Sequence, residues 1–212
     1  SFIAKKDLDS EMTVVRNEME SGENDPGRVL LEKSLATMYQ WHNYGKSTIG
    51  ARADVEGVDL GRLQAFYRTW YQPDNAALIV SGKFDPLRVL TLVQKHFAPI
   101  PKPKRALPRQ YTLEAVQDGE RAVTLRRVGG TPQLMASYHG VPGAHPDHAA
   151  AEVLTLVMGD TPAGRLHKRL TEARLAAETW SWTPTLHDPG FMSFGASLAP
   201  GQDVTAAQTA LL

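Results

Sequence analysis

Cysteine is absent from the 212 residues. That excludes disulfides, cysteine-ligated zinc and a thiol nucleophile, and it leaves the compartment open. An excess of either charge sign is absent too: 23 basic and 23 acidic residues cancel. A partner held by a broad positive field, nucleic acid above all, is therefore not expected. No apolar run approaches the roughly 20 residues that a membrane-spanning helix requires. No signal-like segment follows Ser1. What remains is 42% hydrophobic and 22% charged, the composition of an ordinary globular chain of one or two domains. The last residues, Asp203 to Leu212, read as a helix just begun behind an aspartate cap. With no initiating methionine, the expectation is a piece of a longer polypeptide.

Hydrophobic period divides the chain. Leu8, Met12, Val15 and Met19 make one stripe of a helix over residues 6–20. Asn24-Asp25-Pro26-Gly27 ends it, and a second helix over 28–40 carries Leu31, Leu35 and Met38. An irregular stretch, 41–58, holds Gly45, Gly50 and Gly57. A third helix from Asp59 places Leu60, Leu63, Tyr67 and Trp70 on one side. The run from Ala76 to Ser81 is continuously apolar, which predicts a buried strand. A fourth helix opens at Asp85-Pro86 and runs to Phe97.

Composition then shifts. Residues 98–108 read APIPKPKRALP, a stiff proline-rich and basic stretch that serves as a linker. Beyond it, alternation predicts strands around Val123 and Leu125, at Leu134–Tyr138, at Thr179–Thr183 and over Phe191–Leu198, with helices over 146–158 and 163–173 between them. Helices grouped against such a sheet predict an α+β fold, a layered antiparallel sheet with helices on one face.

Two carboxylates stand out on the first helix. Glu11 and Glu18 are seven positions apart, so they fall on one line of the helix, between the apolar stripe and Val14. Ionised carboxylates beside an apolar face need a cation or a partner. One can ligate a metal while the other orients a neighbouring ligand, although boundary glutamates reaching to water give the same pattern. His145-x-x-His148 reads as a helix start rather than a metal pair. His42, His96, His139, His167 and His187 read as surface or core residues, and Trp180 with Trp182 as sheet-face packing. The basic groups Lys102, Lys104, Arg105 and Arg126-Arg127 read as solvated charge.

The order of several segments resembles the insulinase/pitrilysin-type, or M16, metallopeptidases, which include mitochondrial processing peptidase. The resemblance rests on Glu11-x-x-Val14-Val15-x-x-Glu18 with Asp25-Pro26, on Asn43-Tyr44-Gly45 with Gly50, and on Phe66-Tyr67-x-x-Trp70-Tyr71-x-Pro73-x-Asn75. Leu78 to Asp85 and the stretch from His145-Pro146-Asp147 through Leu170 to Leu175-Ala176 continue it. Asn43 stands where the family usually has proline.

This resemblance implies parts of two homologous domains. Residues 1–100 would be the C-terminal part of a zinc-carrying domain, 101–108 a linker, and 109–212 the N-terminal part of a second, non-catalytic domain. It implies Glu18 as the third zinc ligand and Glu11 as the carboxylate that orients a ligating histidine. The family's inverted H-x-x-E-H segment, which holds the other two ligands and the general base, does not occur in residues 1–212. The implied activity is endoproteolysis of peptides or unfolded chains by zinc-activated water. It belongs to an intact protein with zinc bound, and the isolated piece would be inactive and metal-free. Implied partners are a peptide substrate, the absent N-terminal segment and a second half-chamber, in the same chain or another subunit.

Where the family holds substrate with arginine and tyrosine, this chain has Thr171 and Glu178, so the second domain is not expected to grip substrate. Two alternatives stand beside this reading: a family member that has lost zinc chemistry and serves as a scaffold, and a peptide-binding module that uses an edge strand. A bacterial origin would suit the periplasm.

Overall fold

A computed structural model describes residues 3–212. The chain forms two compact units, each discontinuous in sequence. One takes the residues up to Glu18 together with Ile49–Tyr111, and the other takes Met19–Thr48 together with Thr112–Leu212. The first helix, α1 (Lys5–Asn24), contributes to both. Its stripe is as the period predicts: Leu8 and Met19 are buried, Met12 and Val15 half-buried.

Among its described residues the first unit is helical, with α3 (Arg52–Glu56), α4 (Leu60–Trp70) and α5 (Pro86–Phe97). Asp59 starts α4 by accepting the Arg62 N–H at 2.8 Å, and Asp85 starts α5 by accepting from Leu87 and Arg88. Each cap satisfies donors that the first helical turn leaves free. Arg105 is no loose linker charge. Its Nε donates to the Thr69 carbonyl at 2.6 Å, and its two terminal nitrogens grip Asp74 at 2.8 and 3.0 Å. The proline-rich stretch is thereby tied to the end of α4, with the Asp74 carboxyl held below its ordinary pKa by that guanidinium.

The strand expected over 76–81 does not form. Leu78, Ile79 and Val80 lie outside any helix or strand and are exposed, Ile79 to 85%. A strand apolar on both faces exists only inside a sheet, and the described residues of this unit hold no second strand to pair with it.

The second unit carries the sheet. Strands β1 (Gln133–His139), β2 (Glu178–Trp182) and β3 (Phe191–Ser197) pair antiparallel in the order β1-β3-β2. On one face Leu134, Phe194, Ala196 and Leu198 meet Leu166, Leu170, Ala176 and Ala207 in the main core. Here α6 (His148–Gly159) and α7 (Val204–Leu211) flank the sheet. The segment expected as a helix over 163–173 winds as a π-helical turn, His167–Glu172. The opposite face begins at Phe191, which packs with Met38, Tyr39, Leu31 and Leu35 of α2 (Pro26–Met38) and its C-terminal cap. Further along, the Trp180 ring lies across Gly195, where a side-chain carbon would overlap its six-membered ring. The alternation around Val123 and Leu125 yields no ladder, because among the described residues no strand pairs with it. Mixed helix and antiparallel sheet give the α+β class that the pattern predicts.

Candidate functional site

Glu11 and Glu18 project from α1, and both are exposed. Val14 between them is 58% exposed. The expected apolar neighbour is therefore present beside the line, but no element among the described residues covers it. Among the described residues no group of three histidine, aspartate or glutamate side chains could hold a metal ion. Zinc needs about four ligands, three of them from protein in catalytic sites. Residues 3–212 therefore do not fit a zinc ion by themselves, and Glu18 can offer one ligand at most.

The other candidates fall to structural roles. His145 accepts the Asp147 N–H on its Nδ1. His148 is buried, its Nε2 lying 3.2 Å from Thr185 Oγ1 and 3.5 Å from Glu152. Thr171 lies in the π-helical turn with its hydroxyl buried, and Glu178 opens β2 at the surface. Neither supplies a guanidinium or a phenol.

The richest polar constellation was not legible in the sequence. It sits where α2 ends in the second unit. The Glu114 carboxylate accepts three consecutive backbone N–H groups, from Gln40, Trp41 and His42, at 3.0, 2.9 and 2.9 Å. Burial alone would raise its pKa; the three donors outweigh that and hold it below the ordinary value. Tyr39 is buried and donates its hydroxyl to the Gly190 carbonyl at 2.6 Å, and burial pushes its own ionisation up. His42 Nδ1 accepts the Tyr44 N–H at 3.2 Å, so the proton sits on Nε2, 3.3 Å from Asp188 Oδ2. Asp188 in turn donates its N–H to the Tyr44 hydroxyl.

Arg121 closes the corner by donating to the carbonyls of Thr37 and Met38. Gly45 is obligatory there, because any β-carbon would meet the Tyr39 carbonyl oxygen. Both nitrogens of His42 are engaged; the corner fastens the α2 end to the turn around residues 186–190. The one sequence signal was Asn43-Tyr44-Gly45, whose tyrosine and glycine both serve this corner.

Residues 57–212 match the family described as the Peptidase M16 inactive domain. The chain belongs to the M16 peptidase family. It is 29% identical over 189 residues to the zinc protease PqqE of Helicobacter pylori, covering 88% of this chain and 43% of that protein. An uncharacterized zinc protease of Mycobacterium leprae is 28% identical over 94% of this chain and 45% of its own length. The crystal structure of a protease from Helicobacter pylori superposes with a TM-score of 0.93 at 26% identity, over 99% of this chain and 52% of that one. The chain thus spans about half the length of the curated relatives it matches. The matched family region excludes α1 up to Asn24, where Glu11 and Glu18 stand.

Proposed function

We propose that this chain is part of a zinc-dependent endopeptidase, in which Glu18 supplies one zinc ligand and Glu11 orients a ligating histidine. The remaining ligands and the general base come from polypeptide outside residues 1–212. The observation that carries the reading is the exposed line of Glu11 and Glu18 with Val14 beside it. Two carboxylates and an apolar residue share one uncovered face of α1, while the stripe beside them is packed. An exposed valine between two unpaired acids suits a face that another helix and a cation cover. Zinc proteases among the relatives support the metal.

In this reading the residues up to about 100 complete a zinc-carrying domain, 101–108 link, and 109–212 begin a non-catalytic domain. Thr171 and Glu178 support the last point, since neither side chain can fork onto a peptide backbone. The substrate is extended or unfolded polypeptide, enclosed with a second half-chamber.

The test measures bound zinc and peptide hydrolysis in the intact protein. Glu18→Gln is expected to abolish stoichiometric zinc and hydrolysis together. Glu11→Gln is expected to weaken zinc binding by about 10–100-fold. Residues 1–212 alone are expected to show neither stoichiometric zinc nor hydrolysis. An intact Glu18→Gln protein that keeps full zinc and full activity would overturn the assignment.

A further inference from the structure

The line of Glu11 and Glu18 continues along α1 to Gly22. The helical repeat puts Gly22 within about 40° of both glutamates and ~6 Å beyond Glu18 along the axis. Gly22 is buried, and its cover is Arg28 of α2: a β-carbon at position 22 would lie 2.8 Å from the Arg28 Nε and Cζ. Only a residue without a side chain lets the guanidinium rest there. That guanidinium is under-used. Glu32 Oε1 stands 3.6 Å from its Nε, longer than a hydrogen bond, and itself accepts the Ser47 hydroxyl at 3.0 Å. Among the described residues the terminal nitrogens of Arg28 have no hydrogen-bond partner. Arg28 also lines a cleft of about 350 Å³ between the start of α2 and the sheet, with Leu31, Met135, Trp180 and Trp182 as its apolar lining. All of these residues belong to the second unit. The cleft lies at the end of α2 opposite to Met38 and Tyr39, where the helix is packed on Phe191. Asp25 borders it too, but its carboxylate is spent on the Gly27 and Arg28 N–H groups. The free charge at the cleft is therefore positive.

We propose that this cleft is a substrate subsite, which takes a large apolar or aromatic side chain of an extended peptide while the Arg28 guanidinium donates to the peptide's backbone carbonyls. This rests on the reading of Glu18 as a zinc ligand of a peptidase. The occupant follows from the chemistry of the lining. Two indoles, a thioether and a leucine suit a flat or bulky apolar group. A small anion would leave those four side chains unserved, and a purely apolar ligand would leave the guanidinium unserved. An extended peptide serves both, since it sets carbonyl oxygens beside each side chain and a guanidinium fork reaches two acceptors at once. The guanidinium marks the direction as well: it sits one helical turn from Glu18 on the same line.

Equilibrium binding to the intact protein tests this without turnover. The probes are two fluorescein-labelled peptides of one polar sequence, with a single phenylalanine or a glycine in its place, read by anisotropy in the presence of a metal chelator. The wild type is expected to hold the phenylalanine peptide at least ~10-fold more tightly. Arg28→Gln is expected to weaken both peptides by about 10-fold, with Arg28→Lys in between. Met135→Trp, which fills the cleft, is expected to remove the preference for phenylalanine and leave the glycine peptide bound as before. Met135→Ala, which enlarges it, is expected to weaken the phenylalanine peptide alone. Equal affinity of the wild type for the two peptides would overturn the subsite, as would a preference untouched by both Met135 variants. An Arg28→Gln protein that melts lower but binds peptide like the wild type would confine Arg28 to holding α1 against α2, and overturn its role here. Failure of the Glu18 assignment shows in zinc content and hydrolysis, whereas failure of the subsite shows in these metal-free affinities.

Discussion

Replacing Glu114 with glutamine isolates the corner at the end of α2. The wild-type carboxylate takes Gln40 N–H on one oxygen and the N–H groups of Trp41 and His42 on the other. An amide keeps one acceptor. Turned to serve Trp41 and His42, it sets its NH2 against the Gln40 N–H, donor to donor, and the two retained bonds lose their charge assistance. The Gln40 and Trp41 bonds are solvent-exposed and the His42 bond half-buried, so water offsets part of the loss. The expected cost is about 1–2 kcal/mol at neutral pH.

The same residue sets a pH signature. A folded pKa below the unfolded one gives stability that is present above the ordinary glutamate value and lost as pH falls through the folded value. Urea unfolding followed by tryptophan fluorescence at pH 7 and again near pH 3 should therefore show a gap between wild type and Glu114→Gln that closes in acid. Three of the four tryptophans, Trp41, Trp180 and Trp182, lie in this unit. A gap that persists unchanged at low pH, or none at pH 7, refutes the reasoning.

Gly195→Ala should destabilise the second unit by about 1–3 kcal/mol, because the new methyl overlaps the Trp180 ring and the sheet has to shift; a thermal melt at wild-type temperature would count against that packing. His139 stands edge-on to Tyr39 with ring centroids 5.0 Å apart, and burial, opposed by Glu114 and seconded by Arg121, holds its pKa below the ordinary value. Its contribution to stability is full above the ordinary histidine pKa and fades as pH falls through that value toward the folded one, so His139→Phe should flatten the decline in melting temperature between pH 7 and 5. Arg105→Lys surrenders the paired contact to Asp74, and faster proteolysis within residues 98–108 is the expected readout.

Period and alternation were enough to place α1, α2, α4, α5 and the three strands of the described residues, because in each the sequence marks one face, even in α5, where the described residues leave that face largely open. They misled at 76–81 and around Val123, where the residues carry strand character and the described chain gives them no ladder. Strand character is a property of the segment; a strand is a property of the pair. Glu11 and Glu18 were legible as a line, but not as an exposed one, since exposure depends on what packs against α1. The corner of Tyr39, His42, Glu114 and Asp188 was invisible for a different reason. Its bonds join residues as far as 151 positions apart, and most of them have a main-chain group, which every residue owns, as one partner. Only Tyr44 and Gly45, needed by their side chain and by its absence, left a trace.

Residues 19–48 share a core with residues 112–212, with Met38 and Tyr39 closed over Phe191. Severing the chain at its proline-rich stretch would therefore not free a self-sufficient carboxy-terminal body. The released piece would open Phe191 to water and strip Gly190 of its phenol. Any dissection intended to yield that body has to carry the α2 segment along, grafted or co-expressed in trans.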